Sequence, residues 1–547
     1  MRQRQLYPPI IPQVRDWPVA QLNKQHGAFL EAVIKEAVQG LLATHPEEET
    51  LCAMLHRTAE MERTRIRTKP WKIDPSDELT FWELVRTNLA NRRTLSLSAI
   101  LHTIIQRYAH EITGRFRISH YRLGQRAVTY TLARLLNPVS LKGIRSPWKM
   151  RAKLQERIHI TGAITQLREL AQIGTIVMVP THFSHLDSLV MGWVIHTLGL
   201  PHFIYGAGLN LFNSKLFAYF LNNLGTYTID RRKKNLPYLT TLKAYSRLAL
   251  QWGCHSLFYP GGTRSRSGAL EQQLKLGLLG TALEAQRRNY QAQGRAAHKL
   301  FVVPVVLNYH CVLEAPRLIR SYLTTQGVRS LPTVSSNKLL KRAVNFFTND
   351  SSIFVSIGQA MDLLGNVVDE TGHSYDVQGA YVDTYQQFLD VDTTMTVGKR
   401  DEDYTIALGN TIAKAYYKHN CVLTSHLVAF AAFALMRQQH MGLSLEAFLQ
   451  LPHAQLVIAY VTLEKTFAQL RAVILKLNHA GEVQVEPALQ TGDLATMIQH
   501  GLSNLGLYHS RKPLIRNQVG DVTTQDPSVL FYYHNKLQGY ALEKHIP

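Results

Sequence analysis

Between about residue 157 and residue 365, short β-branched and aromatic runs alternate with segments of helical periodicity, and few architectures accept that rhythm. IVMVP (176–180), HFIYG (202–206), TYTID (226–230), HSLFYP (255–260), LFVVPVVLNY (300–309) and SIFVSIG (352–358) read as strands. The segment after Asp187, SKLFAYFLNNL (214–224), and residues 236–252 and 270–290 read as helices. A helix between two strands returns the chain to the same end of a sheet, so the strands it joins run parallel. The rhythm predicts an α/β domain with a central mixed, largely parallel sheet flanked by helices.

On either side the periodicity is helical. Apolar residues recur at three and four spacing in AFLEAVIKEAVQGLL (28–42) and LSAILHTIIQRYAHEI (97–112), and again in LTSHLVAFAAFALMRQQ and TLEKTFAQLRAVILKL. Three regions follow: a mostly helical 1–156, the α/β domain 157–365, and a mostly helical 366–547. No internal repeat or low-complexity tract stands out. Residues 188–214 carry no Asp, Glu, Lys or Arg, yet Gly192, His196, Pro201, His202 and Asn210 interrupt them. They read as a buried helix and strand rather than a span, and LVAFAAFALM (427–436) is too short to cross a bilayer. The start, MRQRQLYPPIIPQVRDWP, has no apolar core and reads as no signal peptide. Four scattered cysteines without a CxxC exclude a disulfide framework and fit a reducing compartment.

Lys and Arg number 60 against 39 Asp and Glu, a net charge of +21. Such a surplus attracts polyanions, whether nucleic acid, anionic lipid or phosphorylated substrate. It thickens from Arg115 to Lys153, interleaved with Phe116, Tyr121, Tyr130 and Trp148. That stretch reads either as a solvated helical face or as a patch lying on anionic headgroups. No nucleic-acid-binding motif accompanies the basic residues, so no nucleic-acid partner is expected.

Chemistry gathers where the strands end. In PTHFSHLDSL (180–189), His182 and Asp187 flank a strand-to-helix turn, and a carboxylate folding back onto a histidine fixes its tautomer and stabilises its cation. In YPGGTRSRSG (259–268), paired glycines let backbone approach a ligand, and Arg264 and Arg266 with Ser265 suit phosphate. TIDRR (228–232) delivers Arg231 and Arg232 at another strand end. Singly, each is a common surface feature. Together they bring a base candidate and several phosphate-binding candidates to one edge of one sheet.

These segments resemble the glycerophospholipid acyltransferase family, and within it the bacterial glycerol-3-phosphate acyltransferase branch, over roughly residues 157–365. THFSHLD matches the His-x-x-x-x-Asp motif, including the branch's Ser184–His185 pair. GAGLNLFN (206–213) and IDR (229–231) resemble the second motif, GGTRSRSG (261–268) the third, and VPVVLNY (303–309) the fourth. LTSHLVAFAAFALM resembles a helix of the same branch. The resemblance implies that His182 deprotonates an acceptor hydroxyl, that Asp187 orients it, and that the oxygen attacks a thioester directly. Arg231, Gly262, Thr263, Arg264, Ser265 and Arg266 would then form the phosphate site, and the fourth motif an acyl-side surface.

The activity implied is acyl transfer from acyl-CoA or acyl carrier protein to the 1-hydroxyl of glycerol-3-phosphate. Another lysolipid acceptor such as lysophosphatidate, a basic non-enzymatic binding protein, and an inactive relative are the alternatives. The thioester is a co-substrate and no cofactor is expected. The 24 histidines show no HExxH pattern, and no metal is expected. The chain is expected to sit peripherally on the cytoplasmic face of a membrane. Three positions depart from the pattern: Gly261 and His310 stand where glutamate is usual, and Gly208 where the lysophosphatidate branch often has lysine. Cys254 reads as a buried structural thiol rather than a nucleophile.

Overall fold

A computed structural model describes residues 7–71, 74–91, 95–136, 147–209, 223–328, 352–389 and 397–546. Its centre is a seven-stranded sheet: β1 (Ile158–Gly162), β2 (Gly174–Pro180), β3 (Ile204–Gly208), β4 (Thr226–Ile229), β5 (Ser256–Leu257), β6 (Lys299–Tyr309) and β7 (Ile353–Ile357). The order is β1-β7-β6-β2-β5-β3-β4. Strands β2 to β6 are mutually parallel where they pair, while β7 runs antiparallel to β6 and carries β1 in parallel. The carboxyl ends of five strands therefore share one edge, where loops of an open α/β sheet gather ligands.

Every expected strand is present. HSLFYP shortens to Ser256–Leu257 because the chain turns at once, Gly262 N–H donating to the Tyr259 carbonyl at 2.9 Å. The helix expected over 270–290 starts at Gly277, since residues 263–276 form a loop pinned to the sheet edge. The helix after Asp187 covers Asp187–Thr197, and Asn235 caps Leu236–Gln251 by accepting from Tyr238 N–H at 3.0 Å. The helix expected over 214–224 lies almost wholly outside the described residues, as do residues 210–213 of the second motif.

Two large apolar cores result among the described residues. Helices His26–Thr44, Glu48–Thr68, Glu78–Ala90 and Leu97–Ile112 bury their stripes with Tyr227, Tyr238 and Tyr245 from the β4 side of the sheet. The remaining sheet shares one continuous core with the C-terminal helices. Helix Thr424–Gln439 is buried nearly all round, packed by Tyr460–His479, Leu494–Asn504 and Pro527–His534, which explains the apolar run LVAFAAFALM. No helix among the described residues is long and apolar enough to cross a membrane.

Two readings are corrected. A small repeat exists after all: Asp362, Asp369 and Asp376 each accept, through Oδ1, the backbone N–H groups two and four residues onward. Gly365, Gly372 and Gly379 close these turns with φ of +92°, +83° and +83°. The turns carry a meander, β8 (Val367–Val368), β9 (Ser374–Tyr375) and β10 (Tyr381–Val382), bridged to β6 through Met361. In the basic stretch, Phe116 and Tyr121 are not surface aromatics. They are buried against Trp17 and His202. Arg115, Arg117, Leu123, Arg122, Arg126 and Tyr130 are exposed. Lys142 and Arg145 and the side chains of Trp148 and Lys149 lie outside the described residues.

Candidate active site

The chain leaves β2 at Pro180 and turns through Thr181–Leu186 into the helix Asp187–Thr197. Asp187 sits at the first helical position, where its charge meets the amino-end dipole. Its Oδ2 accepts from His182 Nδ1 at 2.8 Å, Phe183 N–H at 2.7 Å and Ser184 N–H at 2.9 Å. Its Oδ1 accepts from the Tyr309 hydroxyl at 2.5 Å, so both oxygens are engaged. Burial, with Asp187 beside it, raises the Tyr309 phenol well above its ordinary value and keeps it a donor. Since Asp187 only accepts, His182 Nδ1 must carry the proton, which leaves Nε2 as the basic nitrogen.

The Asp187 side chain is wholly buried, whereas that of His182 keeps 18% exposure. The imidazole stacks on Tyr259, ring centroids 4.1 Å apart, and the Tyr259 hydroxyl meets Ser188 Oγ at 3.2 Å. Nε2 makes no hydrogen bond among the described residues. The spacing of five across the turn thus does what the sequence suggested: the carboxylate folds back onto the histidine and commits one ring nitrogen.

The loop 261–268 joins this turn through backbone. Ser265 N–H donates to the His182 carbonyl at 2.7 Å, and the Ser265 hydroxyl closes its own loop on the Ala269 carbonyl at 2.8 Å. Arg264 Nη1 lies 3.1 Å from Glu314 Oε1, buried but without hydrogen-bond geometry. Glu314 also accepts from Ser184 Oγ and His185 N–H, both at 3.0 Å. One carboxylate thus couples the two loops, and Arg264 is a partly engaged cation. The side chains of Thr263 and Arg266 are exposed and make no hydrogen bond or ion pair among the described residues.

Glutamate at 261 is replaced in space rather than in sequence. A Cβ on Gly261 would come within 2.9 Å of Glu271 Oε1, and that same oxygen accepts His182 N–H at 3.3 Å. Burial pushes the Glu271 carboxyl up to about 7. His310, the other departure, is buried beside Glu486 at 3.4 Å and Ser425 at 2.9 Å, tying the end of β6 to the C-terminal helices.

Arg231 follows β4, three strands from β2 on the same edge and roughly 14 Å across at ordinary strand spacing. It is exposed, while its neighbours anchor the turn. Arg232 pairs with Asp74 at 2.5 Å and Asp230 at 2.7 Å. Lys233 pairs with Glu111 at 2.5 Å and Glu78 at 3.2 Å, and Arg65 binds Glu62 at 2.7 Å and also Glu78. Burial pulls the Lys233 ammonium down, and Glu111, Glu62 and Glu78 more than reverse it. Sequence reading took Arg232 as a second surface cation; it is instead the link to the N-terminal helices.

Tyr309, Tyr259, Glu271 and Glu314 were missed as site residues. Tyr309 had a signal, as the last residue of the long buried strand. Glu271 and Glu314 had none, since each enters from a loop whose path the sequence does not reveal. Cys254 is buried, its thiol pushed up to about 12 by desolvation, which leaves no nucleophilic role.

Residues 162–308 match the family model described as Acyltransferase. A protein from Aeromonas hydrophila subsp. hydrophila named glycerol-3-phosphate acyltransferase is 31% identical over 235 residues, covering 41% of this chain and 28% of its own. A protein of the same name from Alteromonas mediterranea is 27% identical over 263 residues, covering 47% of this chain and 28% of its own. The chain therefore spans little more than a quarter of the length of these relatives.

Proposed function

We propose that the protein, whose residues 162–308 match a family model described as Acyltransferase, transfers a fatty acyl group from acyl-CoA or acyl carrier protein to the 1-hydroxyl of glycerol-3-phosphate. The observation that carries this is His182, with Nδ1 held by Asp187 at 2.8 Å and Nε2 open. Nε2 takes the hydroxyl proton as the oxygen attacks the thioester carbonyl. The C–O bond forms, the C–S bond breaks, and the imidazolium returns its proton to the departing thiolate. Asp187 steadies the imidazolium and, held by four donors, has little freedom to leave it.

The acceptor is supported by the name the relatives carry and by arginines around the dyad. Arg264 keeps unsatisfied donors beside the turn, and Arg266 and Arg231 are exposed on the same edge. A phosphate drawing Arg264 from Glu314 gains a charge-assisted bidentate contact. No cofactor is needed beyond the thioester. The exposed Arg115, Arg117, Arg122 and Arg126 with Leu123 and Tyr130 support a peripheral seat on the anionic cytoplasmic face of a membrane.

The test is to incubate the protein with labelled palmitoyl thioesters of coenzyme A and of acyl carrier protein, against glycerol-3-phosphate, lysophosphatidate and unphosphorylated glycerol. Separated lipids should show labelled lysophosphatidate. Labelled phosphatidate alone would move the acceptor to a lysolipid. No labelled lipid with any pair would overturn the reading.

A further inference from the structure

The loop after β5 folds back on itself, and its return limb covers its two glycines. Glu271 fills the space a side chain at Gly261 would take and turns inward, to the His182 N–H. Lys275 does the same for Gly262 and stays outside. A Cβ on Gly262 would lie 2.9 Å from Lys275 Cγ, 3.4 Å from Cε and 3.6 Å from Cδ, so the lysine stem runs along this glycine. The Lys275 N–H is pinned to the Pro260 carbonyl at 2.6 Å, and the residue is exposed. Gly262, at φ +72°, closes the turn that begins at Tyr259, whose ring stacks on His182. The Lys275 ammonium, one bond beyond Cε, therefore stands beside the first half of the GGTRSRSG loop.

Nothing in the fold asks for a cation there. Among the described residues the Lys275 side chain makes no hydrogen bond and no ion pair. It precedes by two residues the helix Gly277–Gln293, whose first turn holds no acidic side chain. A positive charge at the amino end of a helix opposes the macrodipole, so for the free protein its sign is the wrong one. The backbone N–H groups of Thr263 and Arg264, which follow the left-handed Gly262, also donate to nothing among the described residues. Successive free amides at such a turn form an anion-binding concavity. A seated stem, an uncompensated charge and open amides on one loop are together suited to an anion.

Charge counting indicates which anion. A phosphate monoester carries about −1.5 to −2 at neutral pH. Arg264 is already partly neutralised by Glu314 at 3.1 Å, and Arg266 is exposed with no contact that fixes it. A further cation with a fixed stem is what a dianion at this loop requires. We infer that Lys275 is a substrate-binding residue of the site: it meets the phosphate of the acceptor as a point charge, beside the guanidinium fork of Arg264. The inference rests on the reading of the acceptor as a phosphorylated alcohol.

The experiment compares full-length wild type, K275M and K275R in two ways. Calorimetric titration with glycerol-3-phosphate, without donor, measures binding; the acyl-transfer assay varies acceptor and palmitoyl thioester in turn. K275M keeps the stem and loses the charge. It should bind glycerol-3-phosphate about tenfold more weakly or worse, with a matching rise in the acceptor's Michaelis constant and that of the thioester within about twofold. Its Tm without acceptor should equal or exceed wild type, because the helix loses an opposing charge. K275R, which keeps the charge, should recover most of the binding. Wild-type binding and Michaelis constants in K275M would overturn the inference. So would a rise confined to the thioester, which would assign the lysine to phosphates of the donor, or a wild type that binds no glycerol-3-phosphate. If the wild type binds glycerol-3-phosphate but transfers no acyl group, the acyltransferase reading falls while the titration still decides Lys275.

Discussion

A histidine serves as a base only while one ring nitrogen is committed and the other is not, and at His182 that asymmetry is fixed by a carboxylate held by four donors. His182→Ala should lower acyl transfer by about a hundred- to ten-thousandfold with the fold retained, checked by turnover and circular dichroism. Asp187→Asn should come close to that, because the amide no longer enforces the tautomer. Tyr309→Phe removes one donor to a charged oxygen, worth about 1.5 kcal/mol, so kcat should fall by about tenfold with Michaelis constants little changed. Arg264→Ala should raise the Michaelis constant for a phosphorylated acceptor by about ten- to a hundredfold and leave that for the thioester unmoved, read by varying each substrate in turn. His182, Asp187 and Arg264 were legible because they lie in short runs at strand ends. Glu314 and Glu271 were not. They sit 129 and 89 residues from the backbone groups they satisfy, and a carboxylate in a polar loop has nothing in its neighbours to mark it.

The strands were legible wherever apolar burial on both faces left no polar alternative, as in β2 and β6. The meander after β7 was not, because each strand is two residues long and its signal is one aspartate and one glycine per turn. The extent of the loop 263–276 was hidden too, since its LEQQLKLG stretch has helical periodicity and long-range pins, among them those at Ser265, Glu271, Gln272 and Lys275, keep it off the helix. The turn after β4 is held largely by charge. Lys233→Met leaves the buried Glu78 and the half-buried Glu111 with a partner gone, so unfolding stability should fall by about 3–5 kcal/mol, measured as a lower urea midpoint. The folded ammonium titrates above its unfolded value of 10.5, so its contribution is complete below that pH and lost as pH rises through the folded value. The difference in stability between wild type and variant should therefore be constant through neutrality and shrink above about pH 10.5.

At the scale of the whole molecule, a net charge of +21 is a long-range field, and the exposed arginines beside Leu123 and Tyr130 give it a place to act. Each basic side chain near an anionic surface contributes about 1 kcal/mol. We expect binding to vesicles containing anionic lipid, partial release in high salt, and weaker binding of an Arg122→Glu, Arg126→Glu double variant, by co-sedimentation. Equal binding to neutral vesicles would show that this face is not the one that touches lipid. The order of the sheet has a further consequence, in time rather than energy. Strand β1 pairs only with β7, its partner residues 195 positions later in the chain. At about 5–20 residues per second, a ribosome needs roughly 10–40 s to make that length. Through that interval the edge of β1 waits without its neighbour, and a nascent chain of this protein is a client for whatever in the cell shields unpaired strands.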